Sequence, residues 1–320
     1  MKSLLWLVLA LCQAAGAWAQ AWPTPGKELK VVVGYPPGSG ADTSVRFFSA
    51  KLSEVSGHPV IVENRPGMIS SLGADAVAKA APDGYTILLA SVTSSHAANL
   101  VLFKKLPYDP VKDFTPVTTL YRTTFVMMVN AAAPWKNMAD LTAALKAKGD
   151  KATYAYGSPP ALAAAEFYKS RAGLQAVGVA YKTSAATLGE MYSGQIDFQF
   201  IDATFASQQI RGGKLRGLAI TSGQRSTLWD LPTMAEATGI PEFDIAPFWG
   251  VFLPAKAPAA VVAKLEGWFN QIVASDDARK YLAGNGAEPM PGNPKVLAEA
   301  TQKEIRKWAE FAKIAKFEQE

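Results

Sequence analysis

The chain has 320 residues, of which 49% are hydrophobic and 18% charged, and its formal net charge at pH 7 is +5. This length is sufficient for two domains with a substantial core, and this composition excludes a disordered chain. The basic excess is spread along the sequence, so a nucleic-acid-binding surface is not indicated.

The first 19 residues are typical of a cleaved signal peptide. Lys2 supplies a positive charge, residues 4–11 form an apolar run too short to span a bilayer, and residues 17–19 fit the small-x-small cleavage pattern. The residue before Cys12 is too large for a lipoprotein signal, which favours a soluble exported protein. Because Cys12 is the only cysteine, we expect a mature exported chain with no disulfide and no thiol nucleophile.

The next stretch reads as a strand, a glycine-rich loop and the start of a helix. Residues 31–33 are a valine run suited to a buried strand, residues 34–40 break it, and apolar residues then recur at helical spacing over residues 45–55. Ser39 and Asp42 stand three apart, close to a capping-box pattern, so the helix should begin here. Its free N–H groups and positive dipole end would favour an anion such as a carboxylate or phosphate.

Two other interpretations of this loop remain open. Gly38 and Gly40 nearly match a dinucleotide fingerprint, but Thr43 replaces the third glycine and two prolines at residues 36–37 stiffen the loop. No G-K-[ST] closes it as a P-loop. A plain strand–helix turn without a ligand is the other alternative.

The rest of the chain alternates strands and helices, which predicts mostly parallel sheets with ligands beyond the strand ends. A strand over residues 86–90 leads into a polar loop over residues 91–96. The same order of strand, small polar loop and helix recurs at residues 153–170. Further strands are predicted at residues 177–181 and 196–201.

We therefore predict an α/β fold of two lobes, joined by two crossing segments, with the ligand cleft between the lobes. The apolar runs at residues 125–129 and 248–253 stand where the chain would cross. Lobe 1 would comprise residues 20–124 and 250–320, and lobe 2 residues 125–249. Helix N-termini from both lobes would point into the cleft, so an anion there needs no arginine.

Side chains that carry catalysis are scarce. The histidines are His58 and His96, and no H-E-x-x-H, G-x-S-x-G or metal-ligand spacing occurs. We expect no catalytic residue, metal or cofactor. His96 is placed on the cleft-side loop, where a hydrogen-bonding role is favoured over that of a base. Asp202 ends a strand at the cleft and is interpreted equally well as a ligand contact or as a helix N-cap.

Several short motifs carry a resemblance to a known family. They read Y-P-P-G-S-G-A-D, E-N-R-P-G, P-D-G-Y-T, H-A-A-N, L-P-Y-D-P, D-F-T-P-V, G-K-L-R and L-P-T-M-A-E, starting at residues 35, 63, 82, 96, 106, 113, 213 and 231. In this order and spacing, they make the chain resemble the periplasmic solute-binding receptors of tripartite tricarboxylate transporters, the Bug-type proteins. The similarity runs from residue 22 to near the C-terminus.

The resemblance implies a type II periplasmic-binding-protein fold that closes on a small carboxylate, with residues 35–42 gripping the carboxylate. The chain departs from the family pattern on the lobe 2 side. The loop over residues 157–162 is shorter than usual, with Ala161 in place of a histidine, and the family's V-P-Y-K-G is V-A-Y-K-T at residues 179–183.

The expected function is a monomeric, non-enzymatic receptor that captures an aliphatic or aromatic mono- or dicarboxylate and delivers it to a membrane transporter. A sensing module for a membrane sensor and a dinucleotide-dependent oxidoreductase are the alternatives. The expected ligand-binding residues lie at strand ends on both sides of the cleft: Tyr35, Pro36, Gly38, Ser39, Gly40, Asp42, Ser91, Thr93, Ser94, Gly157, Ser158, Tyr181, Thr183, Asp202 and Phe248. For the aromatic residues among them, a plain core role remains the alternative.

Overall fold

The computed structural model describes residues 22–181, 183–315 and 319, so the expected signal peptide lies outside the described residues. The strands are β1 (Leu29–Val33), β2 (Val60–Asn64), β3 (Thr86–Ser91), β4 (Phe114–Arg122), β5 (Phe125–Asn130), β6 (Thr153–Tyr156), β7 (Val177–Ala180), β8 (Phe198–Asp202), β9 (Leu215–Ile220), β10 (Phe248–Pro254) and β11 (Glu288–Pro289).

The helices are α1 (Gly40–Ser56), α2 (Ser71–Ala78), α3 (Asn99–Leu102), α4 (Met138–Lys148), α5 (Pro159–Ala172), α6 (Leu188–Ser193), α7 (Ala203–Arg211), α8 (Met234–Thr238), α9 (Ala259–Val273), α10 (Asp276–Gly284) and α11 (Pro294–Ala315). A π-helical segment, Thr93–Ala98, precedes α3. Short 3₁₀ turns lie at Gly149–Lys151 and Ser184–Thr187. None of the described helices is both long and apolar enough to cross a bilayer.

The strands form two sheets, which confirms the predicted α/β fold. The first has the order β11-β4-β10-β3-β1-β2 and the second the order β7-β6-β8-β5-β9. In the first sheet β1 is parallel to β2 and β3, and in the second β6 is parallel to β7 and β8.

As expected, most strands in each sheet run in one direction, β1 to β4 in the first and β6 to β9 in the second, but each sheet also contains antiparallel strands. Strand β10 lies antiparallel between β3 and β4, and β5 lies antiparallel between β8 and β9. Trp249 at the start of β10 pairs with Ser91 at the end of β3, and Phe125 at the start of β5 pairs with Asp202 at the end of β8. Both inserted strands enter at the edge where the parallel strands end, and a strand entering there must run in the opposite direction.

The crossings therefore differ from those predicted. Residues 125–129 and 248–253 lie within the strands β5 and β10 themselves, and the chain crosses just before each. At the crossings the buried hydroxyls of Thr124 and Thr221 lie 3.2 Å apart, and Thr221 also donates to the Ile245 carbonyl over 2.6 Å. These contacts join the connecting segments to one another, and their burial protects the hydrogen bonds from water.

Both faces of β1 are buried, as the valine run predicts. Leu29, Val31 and Val33 face α1 and α9 in one apolar cluster, whereas Val32 packs on the other face with α2. This burial fixes the direction in which the chain leaves β1, so that the glycine-rich loop begins at a rigid strand end.

The last helix, α11, contributes to the apolar clusters of both sheets. Leu297 near its start packs beside Val32 of the first sheet, whereas Trp308 and Phe311 join the cluster around α5 in the second. The predicted lobe boundaries assign this helix to lobe 1, and its second half packs against residues assigned to lobe 2. The boundaries themselves stay a prediction.

Glu304, on α11, is a buried carboxylate with three donors. It accepts hydrogen bonds from Thr93 Oγ1 at 2.9 Å and Trp308 Nε1 at 3.1 Å, and it forms a salt bridge of 2.7 Å with Lys307. Removing it would leave Lys307, 16% exposed in its side chain, without this partner.

We expect Glu304→Ala to lower the free energy of unfolding by about 3 kcal/mol, because removing one partner of a buried ion pair leaves the other charge without compensation. Glu299→Ala on the same helix is the control, because its pair with Lys295 spans 3.9 Å on the exposed surface and is worth under about 0.5 kcal/mol. Urea denaturation of both variants measures the difference. Equal losses would show that Glu304 contributes no more than a surface carboxylate.

Candidate functional site

Four hydroxyls meet where β1, β2 and β3 end. Tyr35 follows β1, Ser70 lies in the loop after β2, and Ser91 and Ser94 stand at the end of β3 and in the π-helical segment. Burial raises the pKa of the Tyr35 hydroxyl, while the hydroxyls of Ser94, Ser70 and Ser91 around it act in the opposite direction. We call these four residues the hydroxyl cluster.

The hydroxyl cluster supplies neutral hydrogen-bond donors. A tyrosine O–H is protonated at physiological pH, and burial moves the pKa of Tyr35 further from that range, while serine hydroxyls rotate to donate or accept. Ser70 Oγ is buried, is near enough to Tyr35 to lower the pKa of that residue, and makes no hydrogen bond of its own. A buried hydroxyl without a partner costs stability, and an anion placed at the cluster would satisfy it.

Ser70 is positioned by a close backbone contact with Gly34. A Cβ on Gly34 would stand 2.4 Å from the Cβ of Ser70 and 2.6 Å from its Cα, so no other residue fits there without a shift. The contact holds the loops after β1 and β2 together and brings Ser70 next to Tyr35.

The segment that carries Ser70 has an unusual backbone. Met68, Ile69 and Ser70 all have positive φ, at 46°, 48° and 69°. For non-glycine residues the left-handed region costs about 1–2 kcal/mol each. Buried Asn99 holds the turn, since its amide donates to the Ile69 carbonyl at 2.9 Å and to Ser71 Oγ at 2.7 Å.

The glycine-rich loop ends as predicted at the start of α1. Ser39 is the N-cap, and its Oγ accepts from the Asp42 N–H at 3.2 Å. Gly38 has φ +79°, a conformation that favours glycine. Among the described contacts, the N–H groups of Gly40 and Ala41 have no protein acceptor, as expected for the first turn of a helix.

Asp42 stabilises this loop through the hydrogen bonds of its carboxylate. Its carboxylate accepts from the Gly38 N–H at 2.8 Å, from Arg46 Nε at 2.9 Å and from Asn64 Nδ2 at 2.7 Å. Burial alone would raise the pKa of Asp42, but these hydrogen bonds outweigh it and the pKa lies below its ordinary value. The same Asn64 amide donates to the Tyr35 carbonyl at 3.0 Å. Asp42 and Asn64 therefore position the loop.

The second sheet repeats the close contact of the first. Gly157 follows β6 as Gly34 follows β1, and a Cβ on Gly157 would stand 2.4 Å from the Thr183 carbonyl carbon and from Ser184 N. Ser158 is the N-cap of α5 without a side-chain capping bond, and Thr183 caps the 3₁₀ turn that follows. Two backbone loops thus meet at the end of the second sheet as well.

Two other predicted residues on this side have local partners. Asp202 is the N-cap of α7, with Oδ1 accepting from the Phe205 N–H at 3.0 Å, and burial raises its pKa against the smaller effect of that hydrogen bond. Tyr181 donates to Glu190 at 2.5 Å, and this hydrogen bond raises the pKa of Tyr181 to about 12. The N-cap interpretation of Asp202 is confirmed, and a ligand role for either residue stays a prediction.

The remaining predicted residues are divided between the loops and the core. Pro36, like Gly38 and Gly40, is exposed on the glycine-rich loop. Thr93 is buried and its hydroxyl is engaged by Glu304. Phe248 is buried in the cluster with Val32, so the plain core role applies to it.

His96 does not lie on a cleft-side loop, which corrects the prediction. The polar run after β3 continues as the π-helical segment, and this turns the His96 ring into the core. The ring stacks on Phe252 with centroids 4.1 Å apart and lies 5.0 Å from Phe114. Ser95 Oγ lies 2.8 Å from Nδ1, and burial lowers the pKa of His96 to about 3.

Sequence reasoning missed Ser70, Asn64 and Asn99. Asn64 lies in the E-N-R-P-G motif, so the motif carried a signal, and it is the last residue of β2. Asn99 likewise ends the H-A-A-N motif. Ser70 carried no signal, because its role depends on a left-handed turn that the residues Met-Ile-Ser do not predict.

Two mixed β-sheets packed with helices, with polar loops at their strand ends, define a two-lobe ligand-binding protein. Over residues 45–316 the sequence matches the tripartite tricarboxylate transporter family receptor. The chain belongs to this family, which is one of periplasmic receptors for transport, as the resemblance implies.

Known relatives span nearly the whole chain. Protein BugT of Bordetella pertussis is 30% identical over 288 residues, covering 89% of this chain and 88% of its own length. R. palustris Rpa4515, solved with adipate, has a TM-score of 0.78 and 29% identity, covering 92% of this chain and 98% of that one. MatC from Rhodopseudomonas palustris, solved with bound malate, has a TM-score of 0.73 and 30% identity, covering 90% and 99%.

The buried His96 predicts an acid-sensitive fold. Its pKa is about 3 in the folded chain, against about 6.5 when unfolded. The unfolded chain therefore binds a proton that the folded chain excludes, and stability falls as the pH drops below about 6.5. By pH 5 this loss should reach about 2 kcal/mol.

We expect His96→Phe, which keeps a stacked ring but cannot take up a proton, to lose that part of the pH dependence. Urea denaturation at pH 7 and pH 5 gives the change in unfolding free energy for each protein. His58→Gln, a half-buried site away from the core, should keep the wild-type difference. If the change in unfolding free energy between pH 7 and pH 5 is the same in His96→Phe as in the wild type, the acid sensitivity comes from carboxylates instead.

Proposed function

We propose that this chain is an exported receptor that captures a small organic carboxylate between its lobes and delivers it to a membrane transporter. The observation that carries the proposal is the hydroxyl cluster beside the N-terminus of α1, with Ser70 Oγ buried and unpartnered. Hydroxyls and helix N–H groups together bind an anion without a cation.

The electrostatics of the site support an anionic ligand. The carboxylate of Asp42 is neutralised by Arg46 and occupied by the Gly38 N–H and Asn64, so it does not repel an anion in front of the loop. The donors at the cluster do not titrate near neutral pH, and the positive end of α1 adds a favourable field. A carboxylate is the simplest group that such a set of donors would hold.

Relatives support the carboxylate class. Two structures similar to this chain hold adipate and malate, both dicarboxylates, and these belong to the same two-lobe fold. Export by a cleaved leader, a monomeric state and the transfer to a membrane transporter complete the proposal, and they rest on the sequence and on the family.

The direct test is ligand-dependent thermal stability. A ligand at a hundred times its dissociation constant should raise the free energy of unfolding by about 2.7 kcal/mol. A panel of aliphatic and aromatic mono- and dicarboxylates is measured against protein freed of bound ligand by unfolding and refolding. If no carboxylate stabilises the protein, the proposal is wrong.

Tyr35→Phe tests whether the hydroxyl cluster is the anchor. Loss of one hydrogen bond to a charged group should weaken binding of the best carboxylate about tenfold, while the ring of residue 35 keeps its tilted contact with Trp249. Tyr192→Phe, which removes an exposed hydroxyl bonded to Gln209, is the control. Calorimetric titration measures both, and equal affinity for the two variants would place the carboxylate elsewhere.

Gly38→Val tests the loop itself. There is open space around Gly38, so a side chain meets no neighbour, but φ of +79° is strained for a β-branched residue. We expect the loop to shift and the affinity to fall by tenfold or more while the fold persists. Circular dichroism verifies the fold, and full-strength binding by this variant would show that the loop is only a turn.

A further inference from the structure

The segment beside the hydroxyl cluster presents large apolar side chains to solvent. Met68, Ile69 and Leu72 are 38%, 37% and 43% exposed, although Ser70 between them is buried next to Tyr35. Exposed apolar side chains gathered in one segment are typical of a binding surface, whereas single ones are not.

This apolar segment lies at the edge of the first sheet where its parallel strands end. It follows β2, and the adjacent strand β1 and the next strand β3 end at the same edge, close to Tyr35 and Ser91. The contact between Gly34 and Ser70 fixes its distance from the cluster. A ligand whose carboxylate meets the cluster would have Met68 and Ile69, the two residues that precede Ser70, close to its remaining atoms.

The backbone of this segment is strained, and a neighbouring residue holds it in that conformation. Ile69 is β-branched and has φ of +48°, a combination rarely adopted without a surrounding constraint. The constraint is buried Asn99, which donates to the carbonyls of Ile69 at 2.9 Å and Met68 at 3.4 Å. A strained turn that keeps two apolar side chains in solvent points to a use for them.

The cations near the segment are already paired. Arg46 is bound to Asp42 and Asn64, and Arg65 is bound to Glu63. Within residues 22–181 and 183–315, the surroundings of the cluster thus combine neutral donors with apolar surface. A second carboxylate close to the first would find no unpaired cation among these neighbours.

We propose that the captured carboxylate carries an apolar body, an aromatic ring or an alkyl chain, that packs on Met68 and Ile69. This ligand class, which rests on the receptor function proposed above, excludes short hydroxy-dicarboxylates. Such a ligand would place polar groups against the apolar segment and leave Met68 and Ile69 unburied.

The first test is a chain-length series in calorimetric titration. Acetate, butyrate, hexanoate and phenylacetate are compared with succinate and malate. Each methylene buried on the apolar segment should tighten binding about fourfold, and phenylacetate should bind at least tenfold tighter than malate. Flat affinities along the series, or malate as the tightest ligand, would overturn the apolar-body proposal alone. Absence of binding by every carboxylate would overturn both proposals.

The second test removes the apolar side chains. Ile69→Gly takes away the side chain and relieves the positive φ, so the thermal midpoint should stay or rise while phenylacetate binds about tenfold more weakly. Met68→Ser should weaken phenylacetate in the same direction. Val111→Ser, at another exposed site, should change neither property. If Ile69→Gly and Met68→Ser bind phenylacetate as tightly as the wild type, the ligand body does not lie on this segment.

Discussion

The close contact between Gly34 and Ser70 sets the geometry of the loops that follow β1 and β2. Their backbones approach so closely that a single Cβ on Gly34 could not fit. This contact fixes the loop after β1 against the loop after β2, and Asn64 reinforces it by bonding the Tyr35 carbonyl. The donors of the hydroxyl cluster are therefore placed by main-chain packing, which is stiffer than any arrangement of long side chains.

The formal charges near these loops are paired within the protein. Asp42 lies behind the loop with its carboxylate engaged by three donors, and Glu304 lies below the π-helical segment with Thr93 and Lys307. Each acid holds a loop that carries neutral donors. Because the acids are satisfied by protein groups, their charges organise the site without competing with an anionic ligand.

Local signals predicted what local interactions determine. The start of α1 followed from Ser39 and Asp42, since a capping pattern acts within one helical turn. The two-sheet fold followed from the alternation of strands and helices. The mixed strand directions, the left-handed turn at Ser70 and the burial of His96 depend on contacts distant in sequence, with β10, Asn99 and the Phe252 ring. No periodicity or turn residue encodes such contacts.

Trp249 connects this geometry to an optical property. Its ring is stacked on Tyr121 at 5.7 Å and lies 5.8 Å from Tyr35, directly behind the hydroxyl cluster. An indole so close to the anchor feels any change in the polarity and water content of the site. A ligand bound at the proposed site would therefore alter the tryptophan emission of the protein, and Trp249 would then serve as an intrinsic fluorescent reporter without an attached dye.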